Sequence, residues 1–411
     1  MSEKLNLNIE IDGLLNNYKS KNFKEALVYA NKLAKLKIKN KEINLVCGEL
    51  FLFYRLFKKA LFSLAYSIKL DPNFYIAYKL LGITEYSLGN FNKALKIFEK
   101  SKKINNQDSD LFFNIAKCYD DLGQYDLSIK NYLKSLQLEP NKKESKINLI
   151  KSLTFFKPQS NIDNEIIKLD QSLYSLKLPF SFKKVLSNEI LKDYLSKNFN
   201  MIDKNYYKIT FDFTQIFRNN LKPLDCPRYH TAFNTYNIIP KNCFSCFKVQ
   251  VDTFTVVDLI KLHFLFDNIT FVKNIKKCMV EKRKNIDGSY KGFIYCKSVD
   301  EAKNLKDKIN VLINSSLNID HRIIVKRGCS EFASSYPNYK VIDTKSKSFL
   351  NYKDEWFEKE KIVNEFYPKN ISKELNPHET LKGNSLNDMI IIKNWIDYAQ
   401  SINDLSYKKL I

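Results

Sequence analysis

Glycine and proline are scarce in this chain, with nine Gly and ten Pro among 411 residues. Their scarcity disfavours long flexible linkers and sandwich folds with many turns. No segment approaches the roughly 18 consecutive apolar residues of a membrane span, and the N-terminus lacks the apolar core of a signal peptide. We therefore expect a cytoplasmic protein whose eight cysteines are thiols or metal ligands rather than disulfides.

Several common enzyme motifs are also missing. The sequence contains no P-loop, no Gly-rich dinucleotide fingerprint and no Gly-x-Ser-x-Gly elbow. The four histidines, His230, His263, His321 and His378, are too dispersed to predict a metal triad. His263 lies in an apolar segment and is predicted to be a core or rim residue. We assign no catalytic residue from the sequence.

Arginine is rare, with six Arg against 61 Lys, and the formal charge is +22. Two interpretations remain open: an AT-rich genome that spreads Lys over every solvated face, or a surface selected to bind a polyanion such as nucleic acid. Five of the six Arg lie in the C-terminal half. Because a forked guanidinium binds carboxylates and phosphates at two points, Arg228 and Arg327 are candidate anion-binding residues.

Small residues recur in the N-terminal third at a period of 34 residues. Two antiparallel helices approach closely only where side chains are small, so the columns predict helical hairpins. Turn signals fall between the helices of a unit, as at Leu88–Phe91, and proline ends units at Pro72 and Pro140. The two clearest columns are Ala26, Ala60, Ala94 and Ser128, and Leu14, Gly48, Gly82 and Ala116.

These columns resemble the tetratricopeptide repeat family over residues 7–140, best in residues 75–108. With a capping helix in residues 141–156, the resemblance implies an all-α solenoid over residues 1–156 whose concave face binds a peptide or partner protein. The alternative is that the stack packs only on its own C-terminal domain. The candidate partner-binding residues are Tyr78, Tyr86, Asn114 and Lys117.

Residues 226–345 alternate between strand and helix patterns in the order β-α-β-β-α-β, which predicts a ferredoxin-like α+β domain. Residues 157–225 are expected to be a mixed connector that packs on it. Residues 346–411 are expected to be a helical tail. The predicted segments are strands at Tyr206–Phe213, Phe247–Thr253, Lys277–Arg283, Tyr290–Cys296 and Arg322–Arg327, and helices at Asp163–Ser175, Phe182–Ser196, Val256–Asp267, Asp300–Leu317, Asp354–Phe366 and Ser385–Ala399.

The predicted strand directions place five cysteines at one end of the sheet. Cys243 and Cys246 precede the first strand, Cys278 begins the second, and Cys296 and Cys329 end the third and fourth. Thiolates are ligands for zinc and iron–sulfur clusters. The sequence therefore predicts a possible metal centre at Cys243, Cys246, Cys296 and Cys329. Buried thiols without a ligand, or redox or nucleophilic thiols, are the alternatives.

Two further hypotheses concern the same domain. Residues 291–295 loosely resemble the third-strand motif of the RNA-recognition family, which implies that Phe293 and Tyr295 stack on RNA bases. An enzyme hypothesis has Arg228, Arg283 and Arg327 binding an anion while Cys329 and Glu331 supply chemistry. Against it, Arg283 is predicted to lie at the opposite sheet edge from Arg327. The favoured function is therefore a protein–protein adaptor, with RNA binding and metal- or thiol-dependent catalysis as alternatives.

Overall fold

The chain forms two compact units in a computed structural model. Of the described residues, one unit holds those within 2–145 and 364–366, and the other holds those within 146–363 and 380–410. No helix among the described residues is long and apolar enough to cross a membrane. The structure describes residues 2–36, 38–158, 162–206, 211–219, 226–284, 286–366 and 380–410.

The first unit is a row of four antiparallel helical hairpins, as the repeat predicts. The first helices of successive hairpins contact each other, α3 with α5 and α5 with α7, more extensively than the second helices do. The first helices therefore form the inner layer of the array. The helices are α1 (Ser2–Lys19), α2 (Phe23–Leu33), α3 (Lys41–Phe53), α4 (Phe57–Leu70), α5 (Tyr75–Ser87), α6 (Phe91–Ile104), α7 (Ser109–Asp121) and α8 (Tyr125–Leu138).

The small-residue columns lie where the two helices of a hairpin meet. Ala60 and Ala94 have no exposed surface. A Cβ atom added to Gly48 would lie 2.6 Å from Leu64 Cδ2, and one added to Gly82 would lie 2.4 Å from Phe98 Cε1. These glycines are required because a large side chain of the second helix occupies the space that their own side chain would fill.

Replacing Gly82 by alanine tests this packing. We expect the free energy of unfolding of the array to fall by about 1–3 kcal/mol, because the methyl group overpacks the contact with the buried Phe98 ring. Circular dichroism during urea denaturation of the full chain measures the loss. The exposed Lys96→Ala substitution on α6 is the control and should change stability by less than about 0.5 kcal/mol. Equal stability of G82A and the parent chain would contradict the close helix crossing.

The second unit is built around a five-stranded antiparallel sheet in the order β1-β3-β4-β2-β5. The α+β class is as predicted, but the sheet has one strand more than the predicted four. The extra strand pairs with β3 at the edge. Of the strand predicted at Tyr206–Phe213, residues 207–210 lie outside the described residues, Tyr206 ends a helix and residues 211–213 form no strand. The strands are β1 (Gln215–Arg218), β2 (Phe247–Thr253), β3 (Lys276–Val280), β4 (Tyr290–Cys296) and β5 (His321–Arg327).

Helices cover one face of this sheet. The ring of Phe266 and the side chain of Leu262 pack where a side chain of Gly292 would otherwise stand. The predicted tail helix docks on this core: Met389 and Trp395 are completely buried, and Trp395 Nε1 donates to the carbonyl oxygen of Thr214 at 2.8 Å. The remaining helices are α9 (Lys143–Ser152), α10 (Glu165–Ser175), α11 (Asn188–Tyr206), α12 (Cys226–Tyr236), α13 (Val256–Asn268), α14 (Val299–Ser316), α15 (Ser330–Ser335), α16 (Phe357–Phe366) and α17 (Leu386–Ser401).

A buried ionic network joins β1, α13 and the start of α17. Arg218, which is 4% exposed, donates from Nε to Asp267 Oδ1 at 2.5 Å and from Nη2 to Asp388 Oδ2 at 3.1 Å. Burial alone would raise the pKa of Asp388, but the charges of Arg218 and His263, together with hydrogen bonds from Arg218 and the Ser385 backbone, lower that pKa. His263 is buried beside the network, 2.9 Å from Asn384 Oδ1, so it is a core residue as predicted.

Candidate functional site

The second face of the sheet carries lysines and aromatic rings. The strand register places Lys248 opposite both Tyr295 and Lys326, and places Lys277 opposite Phe293. Because side chains alternate between faces along a strand, all five point away from α13. This face is therefore cationic and aromatic, while the opposite face is the core.

Residues from two other segments stand over this face and partly enclose a half-open cavity of about 660 Å³, which we call the lysine pocket. One wall is the first turn of α12, with Cys226 and His230. The other is the segment from Cys329 to Glu331, which follows β5. The lysine pocket is lined by Asp212, Thr214, Gln215, Phe217, Cys226, Pro227, His230, Lys248, Lys277, Met279, Val280, Glu281, Lys282, Arg283, Lys291, Phe293, Tyr295, Lys326, Cys329, Ser330 and Glu331.

Three lysines of the pocket lack a carboxylate partner within the described part of the chain. Lys248 is 6% exposed, and its Nζ lies 3.7 Å from Cys329 Sγ. Lys326 donates to the hydroxyl group of Ser330. The Nζ atom of Lys277 lies 5.1 Å from the centre of the Phe293 ring. Buried cations are normally paired, so this arrangement leaves positive charge available to a ligand.

The charge of Lys248 also lowers the pKa values of two neighbouring lysines. Burial, together with the charge of Lys248, lowers the pKa values of Lys277 and Lys326 to about 8 each. Burial likewise lowers the pKa of Lys291 at the other end of the face. A bound anion would relieve this repulsion, because an opposite charge within a few ångströms favours the charged form of each lysine.

Of the two cysteines that line the lysine pocket, Cys329 is the one whose pKa is lowered. Burial alone would raise the pKa of the thiol, but Lys248, a hydrogen bond from His230 and the charge of Lys326 lower it to about 6. The sulfur is therefore mostly thiolate at neutral pH, which is the nucleophilic form. By contrast, burial raises the pKa of Cys226 to about 11, so that neighbouring thiol stays protonated.

A tight turn holds Cys329 in this position. Gly328 has a φ of +53° and donates its N–H to the carbonyl oxygen of Cys246 at 2.7 Å. A Cβ atom at this glycine would overlap the hydroxyl group of Tyr339, which donates to the carbonyl oxygen of Cys243 at 2.6 Å. Only glycine fits this left-handed and crowded position, so the backbone fixes where the sulfur lies.

The four cysteines predicted as metal ligands do not all lie on one face of the sheet. Cys296 alternates with Tyr295 on β4, and therefore lies on the helix-covered face, away from Cys329. Cys278 stands in the middle of β3 opposite Gly292, not at the end of the sheet where it was predicted. Among the described residues, no group of three or more His, Cys, Asp or Glu side chains could hold a metal ion.

The two arginines predicted to bind an anion, Arg228 and Arg327, do not line the lysine pocket. The Arg327 guanidinium packs on the rings of Phe244 and Phe349 and donates to the carbonyl oxygen of Leu350 at 3.0 Å. Arg228 lies over the Tyr229 ring, 5.2 Å from its centre, and is not among the lining residues. Neither Arg327 nor Arg228 thus points into the lysine pocket.

Arg283 does reach the lysine pocket. It forms ion pairs with Glu281, at 2.6 Å, and with Glu331. Arg283 therefore contacts the segment that follows β5 through Glu331, although it was predicted to lie at the opposite sheet edge from Arg327. The structure brings together Arg283, Cys329 and Glu331 of the enzyme hypothesis, and it adds three lysines that sequence reasoning missed.

The aromatic pair of the RNA hypothesis shares one face, as predicted, but that face is partly covered. Phe293 is 8% exposed, and both Phe293 and Tyr295 line the lysine pocket. Base stacking requires open ring faces. The geometry suits a small molecule inside the cavity, and gives no platform for a splayed nucleic acid strand.

The predicted partner-binding residues occupy α5 and α7 of the inner layer. The Lys117 ammonium lies 4.5 Å from the centre of the Tyr86 ring, and Tyr86 donates to Asp121 Oδ2 at 2.6 Å. Asn114 donates to the carbonyl oxygen of Asp110 at 2.8 Å. Tyr78 lies on α5, two helical turns before Tyr86. Tyr86 and Lys117 thus meet at the junction of α5 and α7.

Comparison with known proteins identifies the type of repeat. The profile of the tetratricopeptide repeat family matches residues 109–142, which contain α7 and α8. The N-terminal helices form a tetratricopeptide-like repeat array. No curated protein matches this chain.

Solved structures with similar helical arrays have low sequence identity. A MamA protein is 18% identical, covers 51% of this chain and 99% of its own length, and has a TM-score of 0.35. MamA from Desulfovibrio magneticus RS-1 is 18% identical over 36% of this chain and 82% of its own, with a TM-score of 0.33. The Arabidopsis OM64 tetratricopeptide domain is 18% identical over 28% and 96%, with a TM-score of 0.27.

Proposed function

We propose that the protein is an adaptor whose tetratricopeptide-like array binds an acidic segment of a partner protein along its inner layer. One observation carries this proposal. Lys117 lies between the rings of Tyr86 and Phe113, 4.5 Å and 5.7 Å from their centres, and forms no salt bridge with any described residue. An ammonium group held by rings at the inner layer suits a carboxylate of a bound peptide.

A peptide-display selection on the full chain tests this function. We expect the enriched peptides to contain Asp or Glu and to bind K117E about tenfold more weakly, because the substitution opposes like charges. The control is K96E on α6, a second helix, which reverses the same charge outside the inner layer. Equal binding to K117E and the parent chain, or enrichment that ignores acidic residues, would contradict the proposal.

A second function belongs to the other unit: the lysine pocket binds a small anionic molecule. The specific observation is the set of three lysines, Lys248, Lys277 and Lys326, that lack a carboxylate partner among the described residues around one cavity of about 660 Å³. A cavity of this size suits a small metabolite. The two functions together give an adaptor with one protein site and one ligand site.

Inorganic pyrophosphate serves as the probe for the lysine pocket. We expect calorimetric titration of the full chain to show binding that weakens as salt is raised, and to show at least tenfold weaker binding by the double variant K277M/K326M. The matched control is K393M, which removes a surface lysine on α17 that pairs with Asp203. If the double variant and K393M bind pyrophosphate equally, the anion site lies elsewhere.

A further inference from the structure

An adaptor that only holds an anion has no need of a reactive sulfur, yet one stands in the wall of the lysine pocket. The Lys248 ammonium lies 3.7 Å from Cys329 Sγ, and His230 and Lys326 line the same pocket. A positively charged neighbour and a histidine partner are the two features that activate a cysteine nucleophile.

We propose that Cys329 is the nucleophile of an acyl-transfer reaction on a small anionic acyl compound bound in the lysine pocket. The proposal rests on the anion binding proposed above. Lys277 and Lys326 hold the anionic part of the substrate, His230 handles the proton of the leaving group, and Lys248 stabilises the oxyanion.

The position of Lys248 favours acyl chemistry. In the tetrahedral intermediate of acyl transfer, the negatively charged oxygen lies two bonds from the attacking sulfur. An ammonium group 3.7 Å from that sulfur is within hydrogen-bonding reach of such an oxygen. Lys248 is nearly buried, so its charge is held in place in a site with little water. A fixed donor aimed at developing charge is the main requirement for stabilising this intermediate.

The first step can be written for acetyl phosphate, the simplest anionic acyl compound. The Cys329 thiolate attacks the carbonyl carbon, the S–C bond forms, and the carbonyl oxygen becomes an oxyanion beside Lys248. The oxyanion then reforms the carbonyl group while the C–O bond to phosphate breaks. Phosphate leaves with the electron pair of that bond and takes the proton of His230.

In the second step, water attacks the thioester. One water proton returns to His230 and the other goes to solvent, while the water oxygen enters the acetate product. The S–C bond breaks, and its electron pair returns to sulfur as the thiolate. The products are acetate and inorganic phosphate, and no oxidant, reductant or metal enters the balance.

Acetyl phosphate is also the probe for the test. The full chain, kept reduced without thiol reagents, is incubated with acetyl phosphate, and peptide mass spectrometry follows acetylation of each cysteine while phosphate release is measured. We expect one acetyl group on Cys329 and release of phosphate. The variant C329S should lose both, whereas C296A, on the helix-covered face of the same sheet, should retain both.

A reactivity ratio gives a second measurement that does not depend on turnover. Iodoacetate carries a carboxylate and iodoacetamide is neutral, and both alkylate thiolates. We expect the ratio of the iodoacetate rate to the iodoacetamide rate to be higher at Cys329 than at Cys226, and to fall at least threefold in K277M/K326M. A ratio that this double variant leaves unchanged would overturn the anionic substrate class.

Pyrophosphate titration separates failure of this inference from failure of the proposed function. If the parent chain and C329S both bind pyrophosphate while Cys329 is never acetylated, acyl transfer is wrong and anion binding stands. If neither binds pyrophosphate, both proposals fall. Acetylation that spreads equally over several cysteines, or that persists with phosphate release in C329S, also overturns Cys329 as the nucleophile.

Discussion

Replacing Arg218 by methionine is expected to lower the free energy of unfolding of the second unit by about 3–5 kcal/mol. The loss comes from the two buried aspartates that the substitution leaves without a cation. Asp267 and Asp388 are 6% and 1% exposed, and both lose their cationic partner when the guanidinium is removed. A buried carboxylate without a partner is among the most costly features in a folded protein.

Tryptophan fluorescence during urea denaturation of the full chain measures this loss. Trp356 and Trp395 both lie in the second unit, so the signal reports that unit and not the repeat array. The matched control is K393M, which breaks the surface pair of Lys393 with Asp203 on α17 and should cost about 0–1 kcal/mol. An R218M variant as stable as K393M would show that the network is not formed.

Replacing Lys248 by methionine is expected to shift the pH dependence of Cys329 alkylation upward by two units or more. In the parent chain the thiol has a pKa of about 6, so alkylation by neutral iodoacetamide should reach half its plateau near that pH. Without the ammonium, burial dominates and the midpoint should rise to about 8.5 or above. The midpoint of alkylation must follow the pKa of the thiol upward, because the protonated thiol does not react.

The midpoint is a better observable than the rate at one pH. A thiolate of higher pKa is intrinsically more nucleophilic, so the plateau rate of K248M should rise while the thiolate fraction near neutral pH falls. The variant K326M should give a smaller upward shift, because Lys326 contributes less than Lys248 to the lowered pKa. Identical midpoints for the parent chain and K248M would remove Lys248 from the thiolate's environment.

The repeat array could be predicted from the sequence because its geometry requires small residues at regularly spaced positions. Each close helix crossing requires a small residue, so Gly48 and Gly82 recur at the repeat period, as do Ala60 and Ala94. The strands β2 and β4 could be predicted for a similar reason. Their alternating patterns follow from side chains that point to opposite faces.

The edge strand β1 could not be predicted in this way. Gln215–Arg218 is only four residues long, and its strand character comes from pairing with β3, a contact that a local pattern does not contain. The ion pairs of Arg218 could not be predicted for the same reason. Its partner Asp388 lies 170 residues further along the chain.

The lysine pocket was missed because lysine on a strand usually indicates a solvated face. Whether Lys248 and Lys277 face water depends on α12 and the Cys329 segment, which cover them from distant parts of the chain. One sequence pattern did indicate this face of the sheet. Lys291, Phe293 and Tyr295 occupy every second position of β4 and so share one face. This cationic and aromatic pattern predicted an RNA-binding surface.

The central claim is that an anion binds beside an ionised Cys329 in the lysine pocket, and protection from alkylation tests it most directly. The rate of Cys329 alkylation by iodoacetamide is measured at neutral pH with and without pyrophosphate at a concentration that saturates the titration. The account predicts strong slowing in the parent chain and little slowing in K277M/K326M. An alkylation rate that saturating pyrophosphate leaves unchanged in the parent chain would contradict the account.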